Sequence, residues 1–200
     1  MELLAITSHE LTLVGLAQMG DVHNGGVAID VGLPEIIQLY RFKTGRYTFS
    51  LPLMAGAICA GAAAANLPVL GELGELFGII FQIKDDDLGL FGTTARTGKP
   101  VGSDIREDKK TLHRHYLFER GGQAELKDFR AIFGHRSATE TEIQLILHRM
   151  EVLGVREHID AELDVYAERA RGLIGKLAGA TEQGKTALES LLAYNLSRDT

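Results

Sequence analysis

Apolar residues recur at helical spacing along almost the whole of this 200-residue chain, and no segment shows the apolar–polar alternation of a strand. The pattern predicts an all-α protein. Residues near Glu2 to Met19 read as a first helix. Pro34 opens a long helical region through about Ala64, and Pro68 opens another that runs to about Leu90, because proline is accommodated in a first turn. Gly92 to Asp108, with its glycines and Pro100, reads as irregular. Further helices are predicted over Lys110 to Arg120, Ala124 to Phe133, Glu140 to Leu153, Val155 to Leu177 and Glu182 to Leu196, with Thr139 and Glu142 spaced as a capping box. The most apolar run, Leu51 to Ala65, is shorter than a bilayer span and interrupted by Pro52. It is therefore expected to be a buried helix, and no transmembrane segment is predicted. No repeat, biased tract or linker divides the chain, so residues 1–200 read as a single domain.

Composition narrows the class without naming it. At 45% hydrophobic residues the chain can bury one sizeable core, and a formal charge of -6 at pH 7 argues against a nucleic-acid surface. Cys59 is the sole cysteine, which excludes an intramolecular disulfide and makes a reducing, cytoplasmic setting the default. No charged-then-apolar targeting pattern stands at the N-terminus.

The candidate chemistry lies between Phe81 and Thr111. On a helix Gln82, Asp85, Asp86 and Gly89 fall on one stripe, while Asp87 points well away from Asp85. Two carboxylates converge. The plain alternative is a solvated acidic turn near a helix end; the chemical reading is a hard divalent cation such as Mg²⁺, which takes oxygen ligands and keeps part of its shell for phosphate. Downstream, Thr97-Gly98-Lys99-Pro100 favours a turn that carries Lys99, followed by Arg106, Lys109 and Lys110. Acids followed by cations suit a diphosphate, held through metal on one side and ammonium groups on the other. A nucleotide-binding P-loop is excluded, because Thr93 stands where the motif needs glycine and Pro100 where it needs Ser or Thr. His113 and His115 do not share a helical face and are not expected to pair on a metal.

Over this stretch the chain resembles the trans-isoprenyl diphosphate synthases, or polyprenyl synthetases. The second aspartate-rich motif of that family is similar in order and spacing to Gln82, Asp85-Asp86, Phe91-Gly92, Thr97-Gly98-Lys99-Pro100, Ser103-Asp104-Ile105-Arg106-Glu107 and Lys109-Lys110-Thr111. Upstream, Ala17-Gln18-Met19-Gly20-Asp21 is similar to the family's Gly-Gln-x-x-Asp, and Phe42-Lys43-Thr44-Gly45-Arg46-Tyr47-Thr48 to its Lys-Thr segment. The continuation from Tyr47 to Leu53 and Gly89 look most like geranylgeranyl-type members. The resemblance implies an isoprenoid-synthase helical bundle and head-to-tail condensation of an allylic diphosphate with isopentenyl diphosphate. It implies Mg²⁺ on Asp85 and Asp86, positive charge from Lys43 and Lys99, polar oxygens from Thr44 and Gln82, and a lesser role for Lys109, guarding the mouth of the site or closing the loop over it. It further implies a homodimer or a heteromer with a related subunit. Gln18 and Asp21 suit either a pocket role or a hydrogen-bonded interior pair.

Departures qualify the expectation. Many members carry a third aspartate where Gly89 stands, and some also have glycine there. The first aspartate-rich motif, the isopentenyl diphosphate site and the chain-length determinants belong upstream of the region matched by Gln18 and Asp21. The chain is accordingly expected to represent the C-terminal part of the bundle, lacking its N-terminal helices, and not to condense substrates alone. A noncatalytic regulatory subunit or degenerate homologue is the alternative. A terpene cyclase is disfavoured by Asp-Asp standing ahead of Thr-Gly-Lys.

Overall fold

The computed structural model describes residues 2–26, 30–92 and 102–198, and among them every regular element is helical. Helix α1 spans Glu2–Gly26 and α2 Leu33–Tyr40. A π-helical segment, Arg41–Ser50, then continues directly into α3, Leu51–Cys59. Helix α4 is Asn66–Phe91, and a short α5, Ser103–Arg106, follows. The remainder is α6 Leu112–Arg120, α7 Gln123–Ile132, α8 Glu140–Val152, α9 Val155–Lys176 and α10 Glu182–Ser197. Pro34 and Pro68 both fall within the first three residues of their helices, where a missing N–H costs no intrahelical bond.

The chain divides into two compact units, one made of residues 1–21, 37–82 and 163–198 and the other chiefly of residues 22–36 and 83–162. In the first, Leu73, Leu76, Phe77 and Ile80 of α4 and Ala167, Ala170 and Ile174 of α9 are buried. Asn66 ties the start of α4 to the segment that follows α9: its side-chain amide donates to Ala178 O at 2.9 Å while its carbonyl accepts from Ala178 N at 3.1 Å. In the second unit the core is Ile105, Leu112, Leu117, Phe129, Ile143, Ile146 and Met150.

Two features differ from the pattern-based reading. The region expected as one long helix from Pro34 changes its winding at Arg41, and α3 ends at Cys59. The expected burial of Leu51 to Ala65 is also corrected: only Leu51 and Met54 of that run are buried, and Ala60 to Ala65 are exposed. Alanine and glycine raise the average hydropathy yet offer little area per residue to remove from water, so the run has weak reason to be interior. Helix α4 has the length and apolarity of a membrane span, and 56% of its most apolar window is buried inside the protein, as in a core helix. Along α1, Leu4, Leu11, Leu16, Met19 and Val22 are exposed.

The capping box forms at α8. Thr139 accepts from Glu142 N at 3.3 Å, and Glu142 accepts from Thr139 N at 2.7 Å, which holds the Glu142 carboxyl below its ordinary range. Thr139→Ala is expected to cost about 1 kcal/mol, measured by thermal or urea denaturation; an unchanged midpoint would show that α8 needs no cap.

Candidate active site

In the first unit the π-helical segment carries a cluster of polar contacts to α1 and α4. Thr44, buried, donates its hydroxyl to Gln82 Oε1 at 2.9 Å, and the neighbouring Lys43 ammonium is paired with Asp21 of α1. Arg46 donates to both Glu10 oxygens and to Glu75 Oε1 at 2.7 Å, with Glu10 only 1% exposed; the hydrogen bond to Glu10 leads the interactions that raise the guanidinium's already high pKa. Arg41 adds a second pair to Glu75 at 3.0 Å.

Close backbone contact fixes this register. Gly71, Gly74, Gly78 and Gln82 recur on one face of α4. A Cβ on Gly74 would lie 2.6 Å from Ser50 Oγ, and one on Gly78 would lie 2.5 Å from Gly45 N and closer still to its Cα. The Ser50 hydroxyl completes the seam by donating to Gly71 O at 2.7 Å. Only glycines allow α4 to approach the π-helical backbone closely enough for Thr44 to reach Gln82.

In the second unit, Asp85 is exposed and Asp86 buried on the α4 stripe. Asp87 turns away, as helical geometry requires. It lies 3.3 Å from His113 Nε2 and accepts from Arg156 Nη2 at 3.2 Å. Burial alone would raise the Asp87 carboxyl, but the hydrogen bond and charge of His113, joined by Arg156, outweigh it and leave the carboxyl below its ordinary range. His113 is thus a buried partner of Asp87, and the His115 ring packs edge-on against Tyr116 at 5.2 Å.

Asp104 of α5 is 5% exposed and accepts from Lys109 Nζ at 2.5 Å. Burial pulls the Lys109 ammonium pKa down, but Asp104, Asp86 and Glu107 together hold it above its ordinary value. The helix predicted from Lys110 does not start there: Lys110 is buried and paired with Asp108. Helix α6 begins two residues later, capped by Thr111, whose hydroxyl accepts from Arg114 N at 3.3 Å.

Lys43, Thr44 and Gln82 are thus placed within one unit, and Asp85, Asp86 and Lys109 within the other. Lys99, with Thr97, Gly98 and Pro100, lies outside the described residues. Of the upstream pair, Asp21 is engaged with Lys43 while Gln18 is exposed. Sequence reasoning did not anticipate Asp104 as the partner of Lys109, nor the glycine seam, although the spacing of Gly71, Gly74, Gly78 and Gln82 was a visible signal.

Among the described residues no three carboxylate, imidazole or thiolate groups converge as a metal site. The donor set nevertheless fits Mg²⁺ of the kind that binds through one or two carboxylates and completes its shell with water and phosphate oxygens, because Asp85 and Asp86 are adjacent hard oxygen ligands on one helical face.

The polyprenyl synthetase family model matches residues 1–150, and the chain belongs to that family. It is 32% identical over 169 residues to a geranylfarnesyl diphosphate synthase of Aeropyrum pernix, covering 84% of this chain and 52% of the relative. A crystal structure of geranylgeranyl pyrophosphate synthase from Corynebacterium glutamicum complexed with isoprenyl diphosphate and magnesium superposes with a TM-score of 0.87 at 28% identity, covering 98% of this chain and 56% of that one. A polyprenyl synthase from Caulobacter crescentus complexed with calcium and isoprenyl diphosphate gives 0.87 at 26% identity, covering 100% and 60%. The chain spans about half the length of the curated relatives it matches.

Proposed function

We propose that residues 1–200 act as one polyprenyl synthetase domain in the head-to-tail condensation of an allylic diphosphate with isopentenyl diphosphate, of the geranylgeranyl type, as a homodimer or with a related subunit. The observation that carries this reading is the run of functional groups along α4: Gln82, hydrogen-bonded to Thr44 beside Lys43, stands one turn ahead of Asp85 and Asp86 on the same helical face. The magnesium and isoprenyl diphosphate bound by the Corynebacterium relative support it.

The reaction begins with ionisation of a carbon–oxygen bond, so catalysis must stabilise the departing diphosphate and the allylic cation more than the bound reactant. Asp85 and Asp86 would hold Mg²⁺, which supplies positive charge to the diphosphate when bound. By the resemblance Lys43 and Lys99 would each supply positive charge to a diphosphate, with Lys109 guarding the mouth of the site or closing the loop over it; each ammonium is a point charge with several rotatable N–H bonds. The Thr44 hydroxyl proton is committed to Gln82, so the Thr44 oxygen presents lone pairs, which favour a developing cation and disfavour a nucleophilic role.

Calorimetry with inorganic diphosphate is expected to show binding that requires Mg²⁺, since the chain carries a net charge of -6 and its acid face repels the bare anion. Asp85→Ala and Asp86→Ala should each abolish the metal-dependent part, whereas Asp87→Ala should leave it nearly unchanged. Equal binding with and without Mg²⁺ would refute the reading. Binding without turnover by the chain alone, in assays supplying isopentenyl diphosphate and an allylic diphosphate, is the expected result; turnover would overturn the expectation that it does not condense substrates alone.

A further inference from the structure

Helix α1 is held by a charge where an amphipathic helix is ordinarily held by apolar contact. Among its described side chains, residues 3–23, Glu10 alone is buried, at 1% exposure, while Leu4, Leu11, Leu16 and Met19 are exposed. Glu10 is also the sole Asp, Glu, Lys or Arg between Leu3 and Gly20. Both of its oxygens accept from Arg46, Oε2 from Nε at 2.8 Å and Oε1 from Nη2 at 2.5 Å. Arg46 Nη1 donates to Glu75 of α4, and Arg41 Nε stands 3.0 Å from the second Glu75 oxygen. Two carboxylates and two guanidinium groups thus close a network of zero net charge that joins α1, the π-helical segment and α4.

The inner face of α1 would not fix its own position. Leu3, Ile6, Leu13, Val14 and Ala17 are half-buried on the face of Glu10 and recur along it, so apolar contact changes little when the helix slides by one turn. Such a slide would put Ile6 or Val14 in front of Arg46 and leave the guanidinium without its carboxylate, which is costly away from solvent. Asp21 lies about three turns further along α1 on the same face, and it takes the Lys43 ammonium. Lys43 and Arg46 leave the π-helical segment within one turn and diverge to these two partners, so a slide that breaks one pair breaks the other. Buried ion pairs are weak sources of stability and are best attested as devices that set register.

We propose that Glu10 and Arg46 are positioning residues: their pair, braced on Glu75, locks the register of α1 against the π-helical segment and so sets Asp21 against Lys43, ordering that ammonium before a ligand arrives. An ordered lysine side chain has already lost the rotamer freedom that binding would otherwise remove. The link to binding rests on the proposed function, which gives Lys43 a diphosphate to meet; the register lock itself does not.

The test replaces the pair by apolar residues, Glu10→Leu with Arg46→Met, in the whole chain. Urea denaturation verifies folding, which apolar replacement of a buried pair ordinarily leaves intact. Zero-length carbodiimide coupling, which forms an amide between a carboxylate and an ammonium group in contact, should join Asp21 to Lys43 in the unaltered chain. The coupled peptide, read by mass spectrometry, should fall severalfold in the double variant. Calorimetry of inorganic diphosphate with Mg²⁺ should show Lys43→Met weakening binding about tenfold, the scale of a charge-assisted contact. The double variant should weaken it on the order of threefold or more, with no further loss when it is combined with Lys43→Met. Undiminished coupling of Asp21 to Lys43 in the double variant would overturn the proposal, as would a loss of diphosphate affinity that persists in the Lys43→Met background. If the double variant does not fold, Arg46→Lys keeps the charge, loses the two-point contact with Glu10 and is read against the same outcomes. Absence of any Mg²⁺-dependent binding by the unaltered chain would refute the proposed function and leave the coupling experiment to decide the lock.

Discussion

Gly78→Ala is expected to destabilise the protein by more than about 3 kcal/mol, beyond the usual range for an overpacked site. The added methyl would meet the Gly45 backbone well inside contact distance and the Thr44 carbonyl carbon at 3.1 Å. Backbone atoms cannot rotate out of the way as a flexible side chain would, so α4 and the π-helical segment must separate. Alanine's better helix propensity offsets only about 1 kcal/mol of this. Separation also pulls Thr44 from Gln82, so any folded fraction should show weakened function. Gly172→Ala in α9 is the matched control, since a Cβ there meets nothing within 4 Å, and it should stabilise by up to about 1 kcal/mol. Urea denaturation of both variants checks the pair. If Gly78→Ala proved as stable as the unaltered chain, the close approach of the two backbones would be wrong.

Asp87→Ala should cost about 2–3 kcal/mol, toward the lower side of what breaking a buried ion pair costs because Asp87 is partly accessible. It strands His113, which is fully buried, and removes the partner that Arg156 holds while stacking over the Phe91 ring at 4.2 Å. The effect depends on pH with a definite sign. Asp87 titrates lower in the folded protein than in the unfolded chain, so its stabilisation is fully present above the ordinary carboxylate pKa and is lost as pH falls through the depressed value. Denaturation midpoints between pH 7 and pH 3 should therefore fall less steeply for Asp87→Asn than for the unaltered chain. Parallel acid limbs would mean that Asp87 is not the group responsible.

Helix existence and type were readable in the chain because helices depend on local periodicity. The element carrying Asp85 and Asp86, expected from Pro68 to about Leu90, runs from Asn66 to Phe91, and Glu140 to Leu153 closes at Val152 behind its capping box. The turn of Asp87 away from Asp85 followed from the same geometry, and the family followed from the long ordered match between Gln82 and Thr111. The partners of these residues were not readable. Asp21 lies 22 residues from Lys43, Gln82 lies 38 from Thr44 and Arg156 lies 69 from Asp87, and no local rule fixes which charges meet at such separations. Nor could hydropathy show that Leu51 to Ala65 stays largely exposed or that Lys110 is buried, because burial depends on what packs against a segment as well as on its own composition. The chain by itself thus determined its helices and the face on which its acids lie, both being consequences of a repeat a few residues long. Tertiary structure alone decided that Gly78 must be glycine and that Asp104 holds Lys109, because those depend on the approach of backbones and side chains that sequence spacing does not encode.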